Sequence, residues 1–85
     1  MTGWHVKRPE PYTALGIRRL RCIRCGAPAM FQWQICSDGN QHRPLCLDCD
    51  VALNRLVLDW MGHPDAQVLG DRYELAKRAA SEGQA

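Results

Sequence analysis

Cys22-Ile23-Arg24-Cys25 and Cys46-Leu47-Asp48-Cys49, twenty residues apart, constrain this chain more than anything else in it. A Cys-x-x-Cys turn aims two sulfurs at one point, so two such turns supply a tetrahedral set of ligands about 2.3 Å from a shared ion. Any fold must therefore bring two distant segments to one place. Zinc suits four thiolates, and because protein fills all four positions no place is left for water; the ion is read as structural, not catalytic. The competing use of the cysteines is disulfides, and the compartment decides between them. No apolar run approaches the ~18 residues of a membrane span, and MTGWHVKRPEP has no apolar signal-peptide core. The reading is a cytoplasmic protein with no membrane partner, where thiols stay reduced and paired Cys-x-x-Cys motifs bind metal.

Eighty-five residues make at most one domain. A chain of that length buries only about 60% of the surface its unfolded form exposes. Structural zinc contributes ~10–16 kcal/mol, more than the whole stability expected of such a core, so the metal-free chain is expected to be largely unfolded. Hydrophobic content of 46% with 24% charged residues excludes wholesale disorder.

The net charge of +2 conceals an asymmetry. Residues 1–25 hold Lys7, Arg8, Arg18, Arg19, Arg21 and Arg24 against Glu10 alone, whereas the rest of the chain is acidic on balance. A basic arm running into a metal knuckle suggests a polyanion partner; the alternative is an ordinary solvated surface.

Residues 1–16 form an extended basic arm rich in Pro and Gly, with Trp4 and Tyr12 as its anchors. From Gly16 to Met30 we expect a short strand and then the first knuckle, in which Gly26 supplies a positive φ. AMFQWQIC alternates Phe31, Trp33 and Ile35 against Gln32 and Gln34, a strand of period two, and Ser37-Asp38-Gly39-Asn40 is turn chemistry. Cys36, with no partner at the x-x spacing, is read as a small buried residue closing that strand, the alternatives being a substitute ligand or a reactive thiol.

After the second knuckle a helix is predicted through Trp60 or Met61. One of its faces carries Leu53, Leu56, Val57 and Trp60, a second carries Val51, Leu58 and Met61, and both need cover. A homodimer through this helix would supply it; so would the N-terminal arm. Gly62 ends the helix, and His63-Pro64-Asp65 starts another, with Val68, Leu69, Tyr73, Leu75, Ala76, Ala79 and Ala80 on its apolar side. Residues 81–85 are expected to fray. The fold class is α+β: a treble-clef zinc domain over 17–80, made of knuckle, β-hairpin and knuckle-helix, followed by a C-terminal helix.

In CIRCG, HRPLCLDCD and the helix VALNRLVLDW that follows, the chain resembles the recombination endonuclease VII branch of the HNH, or ββα-metal, nucleases. The likeness runs from Cys22 to about Tyr73, and the wording Arg-x-Leu-Cys-x-x-Cys leans toward that branch. Those nucleases use a hairpin histidine as general base and a carboxylate with an amide to hold a divalent ion on the phosphate. Their Asp-His-x-His falls here on about Gln34-Ile35-Cys36-Ser37, which offers neither imidazole nor carboxylate. Asp50 stands where the family commonly has asparagine. A displaced site would use His42 as base with Asp50 and Asp38 holding Mg2+ or Mn2+.

Three functions follow. The leading one is a nucleic-acid-binding protein, of the kind found in phages or mobile elements, on a nuclease-like frame without its usual base. It contacts DNA phosphates through Arg18, Arg19, Arg21, Arg24 and Arg43, with Lys7 and Arg8 from the arm. Arg43, beside the second knuckle, ranks first among these contacts. Trp33 is either a base-stacking residue or a core strand residue. The second is a protein-binding adaptor, resembling zinc-finger regulators of RNA polymerase; the third is the metal-dependent endonuclease with the displaced site. No P-loop, dinucleotide-binding glycine pattern, Ser-His triad or close carboxylate pair is present.

Overall fold

A computed structural model describes residues 16–83. The arm residues 1–15, with Trp4, Lys7, Arg8 and Tyr12, and the last two residues lie outside that range. A 3-10 turn at Ile17–Arg19 opens the described chain. The strand expected before the first knuckle is reduced to a single bridge, Arg21 to Pro28, because the backbone there serves the knuckle instead. Cys22 N–H donates to Ala27 C=O at 2.7 Å and Gly26 N–H to Cys22 C=O at 2.9 Å. The turn closes because Gly26 takes φ 80°, where a side chain would be strained.

The hairpin follows as β1 (Phe31–Ile35) and β2 (Gln41–Leu45), antiparallel and paired from Phe31↔Leu45 to Ile35↔Gln41. Its loop turns through a 3-10 segment, Cys36–Asp38, then Gly39 and Asn40 at φ 64° and 59°. Asparagine tolerates this left-handed conformation better than most residues. Two further hydrogen bonds, Ile23 N–H to Pro44 C=O and Met30 N–H to Leu45 C=O, both 2.9 Å, tie the first knuckle to β2.

Helix α1 (Leu47–Trp60) grows out of the second knuckle. Cys46 is its N-cap, and the Cys46 sulfur accepts from Cys49 N–H. Asp48 and Asp50 sit in the first turn, at the positive end of the helix dipole. A Schellman motif stops the helix: Gly62 at φ 66° lets its own N–H reach Asp59 C=O and His63 N–H reach Leu58 C=O. The His63 ring then accepts from Asp65 N–H, and α2 (Ala66–Gly83) begins. The sequence reading of the knuckle, hairpin and helices, and of the α+β class, matches this architecture. The tail differs: Ser81–Gly83 continue α2, and the Ser81 hydroxyl meets the Met30 sulfur at 3.2 Å.

α2 packs against α1 with a face that shares only Leu69 and Tyr73 with its apolar pattern. Gly70 is buried and Leu69, Tyr73, Glu74 and Lys77 are partly buried, while Val68, Leu75, Ala76, Ala79 and Ala80 face water. Polar ties accompany this rotation. Arg55 of α1 bonds Asp71 and Glu74, both at 2.9 Å; Arg78 bonds Glu74 at 2.8 Å and Asp48 at 3.1 Å. A methyl group at Gly70 would collide with the Arg55 side chain, so the glycine lets these helices approach. Lys77 lies over the Phe31 ring, 4.1 Å from its centre, and joins α2 to the hairpin.

The buried apolar residues are few: Ile17, Cys22, Ala29, Leu45, Cys46, Cys49 and Val51. Three of them are cysteines of the two knuckles. No large side chain among the described residues is completely buried, so hydrophobic burial alone is a thin basis for this fold.

Candidate metal centre and its surroundings

Cys22, Cys25, Cys46 and Cys49 bring their sulfurs within 4.8 Å of one another. Two come from the first knuckle and two from the turn that starts α1, and the hydrogen bonds from Ile23 and Met30 to β2 hold those elements together. Cys22, Cys46 and Cys49 are buried and Cys25 is exposed. Cys25 and Cys46 sulfurs stand 3.5 Å apart. Leu45 shares their core, with Ala27, Trp33 and Leu53 packed around it.

The electrostatics call for a cation. Burial would push the Cys22 thiol up, but backbone N–H groups of Cys46, Cys25 and Arg24, with the Cys49 side chain, bring its pKa down to about 6. Cys49 is pushed up to about 12, by burial first and then by the Cys46, Cys22 and Cys25 sulfurs beside it. Cys46 is raised as well, mainly by burial. Sulfurs this close cannot all ionise unless a positive ion sits among them. The four cysteines are positioned to hold a metal ion, and backbone donors are already aimed at the sulfur that ionises first.

The displaced catalytic set is not brought together. Among the described residues, no second group of three or more histidine, cysteine or carboxylate side chains converges as the cysteines do. His42 Nδ1 is 2.5 Å from the Gln32 amide oxygen, across the hairpin. Asp38 is ion-paired with Arg43, which holds its carboxyl below the usual range. Asp50 is 3% exposed and accepts from the Tyr73 hydroxyl at 2.6 Å. Each of the three is therefore engaged by a different neighbour.

Tyr73, expected only as an apolar-side residue of α2, makes a tie to Asp50 that its residue type did not announce. It places a buried carboxylate at the start of α1 under the control of α2; burial first, then the Asp50 bond, raises its own pKa. Its position three residues after Gly70 on an apolar stripe was a signal too weak to identify the bond to Asp50.

The phosphate-contact residues divide as well. Arg19, Arg21 and Arg24 are exposed and make no ion pair in the described structure. Arg18 belongs to the Ile17–Arg19 turn beside them. Arg43, ranked first from sequence, is instead engaged with Asp38 because the hairpin loop folds back onto it. Trp33 packs against the cysteine core. Cys36, read as buried, is exposed, because the strand ends at Ile35 and the chain turns outward. No helix in the described residues is long and apolar enough to cross a membrane.

The chain matches no protein-family model, no curated protein and no solved structure in comparisons with each. Its treble-clef assignment rests on the geometry described above.

Proposed function

We propose that this chain is a zinc-stabilised nucleic-acid-binding protein whose nuclease-like frame binds without cutting. One observation carries the reading: Arg19, Arg21 and Arg24 are exposed and make no ion pair among the described residues, whereas Arg55 and Arg78 of the helical half are paired with Asp71, Glu74 and Asp48. Arg19 and Arg21 are the principal phosphate contacts, joined by Arg18 and the arm's Lys7 and Arg8. Zinc is the ion proposed for the four thiolates, since soft sulfur ligands in a closed tetrahedral set select it. The engagement of His42, Asp38 and Asp50 by Gln32, Arg43 and Tyr73 supports binding over cleavage, because a general base and a Mg2+ or Mn2+ site need those groups released.

A second reading, a protein-binding adaptor, draws on the exposed Leu56 and Trp60 of α1. The deciding experiment sets zinc-loaded protein against labelled linear and branched DNA, with and without magnesium or manganese, on native and denaturing gels. A salt-sensitive shift without cutting is the expected result. Metal-dependent cutting would reinstate the nuclease, and no shift at low salt would leave the adaptor.

A further inference from the structure

Helix α1 has two apolar faces, and α2 covers only one. On that side Val51 is buried and Leu58 half-buried. On the opposite side Cys49 and Leu53 rest against the cysteine core, and none of the described residues covers Leu56 or Trp60. A groove there is lined by Arg24, Leu45, Cys49, Ala52, Leu53 and Leu56. Leu56 is 62% exposed, and Trp60, one helical turn further along the same face, is 85% exposed. An aromatic anchor beside an open apolar groove is what a central interface contact requires.

The charges along this face indicate what fills it. At the groove stands Arg24, without an ion pair. At the far end stands Asp59, exposed and also without one among the described residues. The C-terminus of α1 adds the negative end of a helix dipole that no basic residue of the last turn offsets. A surface with an apolar middle and opposite charges at its two ends is complementary to itself when turned end for end. A two-fold pairing makes each contact twice.

We propose that two copies of this chain pair through this face, their α1 helices antiparallel. Trp60 of each enters the groove of the other, and Arg24 of each faces Asp59 of the other. The pairing presents two basic knuckles on one particle. It does not depend on the nucleic-acid reading, since it is formed and measured without nucleic acid.

Sedimentation or light-scattering mass of the full zinc-loaded chain, from low to high micromolar concentration, tests this. The expected mass at the upper end is twice the 9.6 kDa monomer. Trp60→Glu is expected to stay monomeric throughout, with zinc content and far-ultraviolet dichroism unchanged, and Leu56→Glu is a second variant with the same expectation. Arg24→Asp and Asp59→Arg are each expected to weaken pairing by about tenfold, and the double reversal to restore it. A monomeric native chain overturns the proposal, whatever else the face binds. So does a Trp60→Glu dimer, or a folded double reversal that pairs no better than the single variants.

Discussion

The metal half and the helical half of this molecule are held by different physics. Around the four cysteines, the buried cluster consists of Cys22, Cys46, Cys49 and Leu45, with Ala27, Trp33 and Leu53 packed against it. Between α1 and α2, polar groups carry the contact: Arg55, Arg78, Glu74 and the Tyr73–Asp50 bond. One half has little core beyond four cysteines positioned to hold a metal ion. The other derives its orientation from hydrogen bonds, and in doing so leaves apolar residues of both helices facing water. Small domains short of core can divide the task in this way, one part supplying stability and another supplying surface.

The largest test of that contrast removes the metal. Complete chelation, or Cys46→Ser, is expected to abolish far-ultraviolet helicity and the thermal transition, because it withdraws ~10–16 kcal/mol from a marginal fold. If α1 and α2 remain helical and docked after chelation, the helical half is self-sufficient and the contrast fails.

Next comes the surface of the metal half. Replacing Arg19 and Arg21 together by alanine is expected to reduce the slope of log affinity against log salt by about 1.8 on duplex DNA, two phosphate contacts at ~0.9 each, with thermal stability unchanged. Arg55→Ala serves as the control: it should weaken the helix pair and leave the salt slope alone. Equal slopes for all three proteins would remove the phosphate-binding role from the first knuckle.

Within the helical half, Tyr73→Phe leaves the buried Asp50 carboxylate without its donor. A loss of about 1–3 kcal/mol in denaturant unfolding is expected, and pairing it with Asp50→Asn should cost less than the sum of the two. Additive losses would mean that the bond is incidental.

The smallest effect concerns pH. Glu74 is held below its ordinary value by Arg55 first and then Arg78, so its contribution is full above the unfolded carboxyl pKa and is lost as pH falls through the lower folded one. Glu74→Gln is therefore expected to flatten the acid limb of the stability curve slightly and leave neutral stability reduced by a similar small amount. An unchanged acid limb would show that solvent screens these exposed pairs completely.

Much of this was legible in the chain because it is local chemistry. Cys-x-x-Cys spacing, glycine at 26 and 62, the Asp38-Gly39-Asn40 turn and alternation through Phe31–Ile35 each specify a conformation through neighbours a few residues away. The four-cysteine site follows once two such knuckles exist, since thiolates at that spacing have one shared use. The apolar pattern of α1 likewise announced two faces to cover.

What the chain could not disclose depends on groups far apart in sequence. The face of α2 that turns inward brings Asp71 and Glu74 to Arg55, sixteen and nineteen residues back, and Arg78 to Asp48, thirty residues back. The inward face carries these charge pairs beside Leu69 and Tyr73, while the alanines and Leu75 of the apolar stripe remain in water. The same holds for His42, Asp38, Asp50 and Arg43: their residue types suit catalysis or phosphate contact, and their tertiary neighbours engage them elsewhere. Sequence by itself determined the ligands, the knuckles and the elements between them; the tertiary structure alone decided which polar side chains are free to act, because that depends on what each one meets after folding.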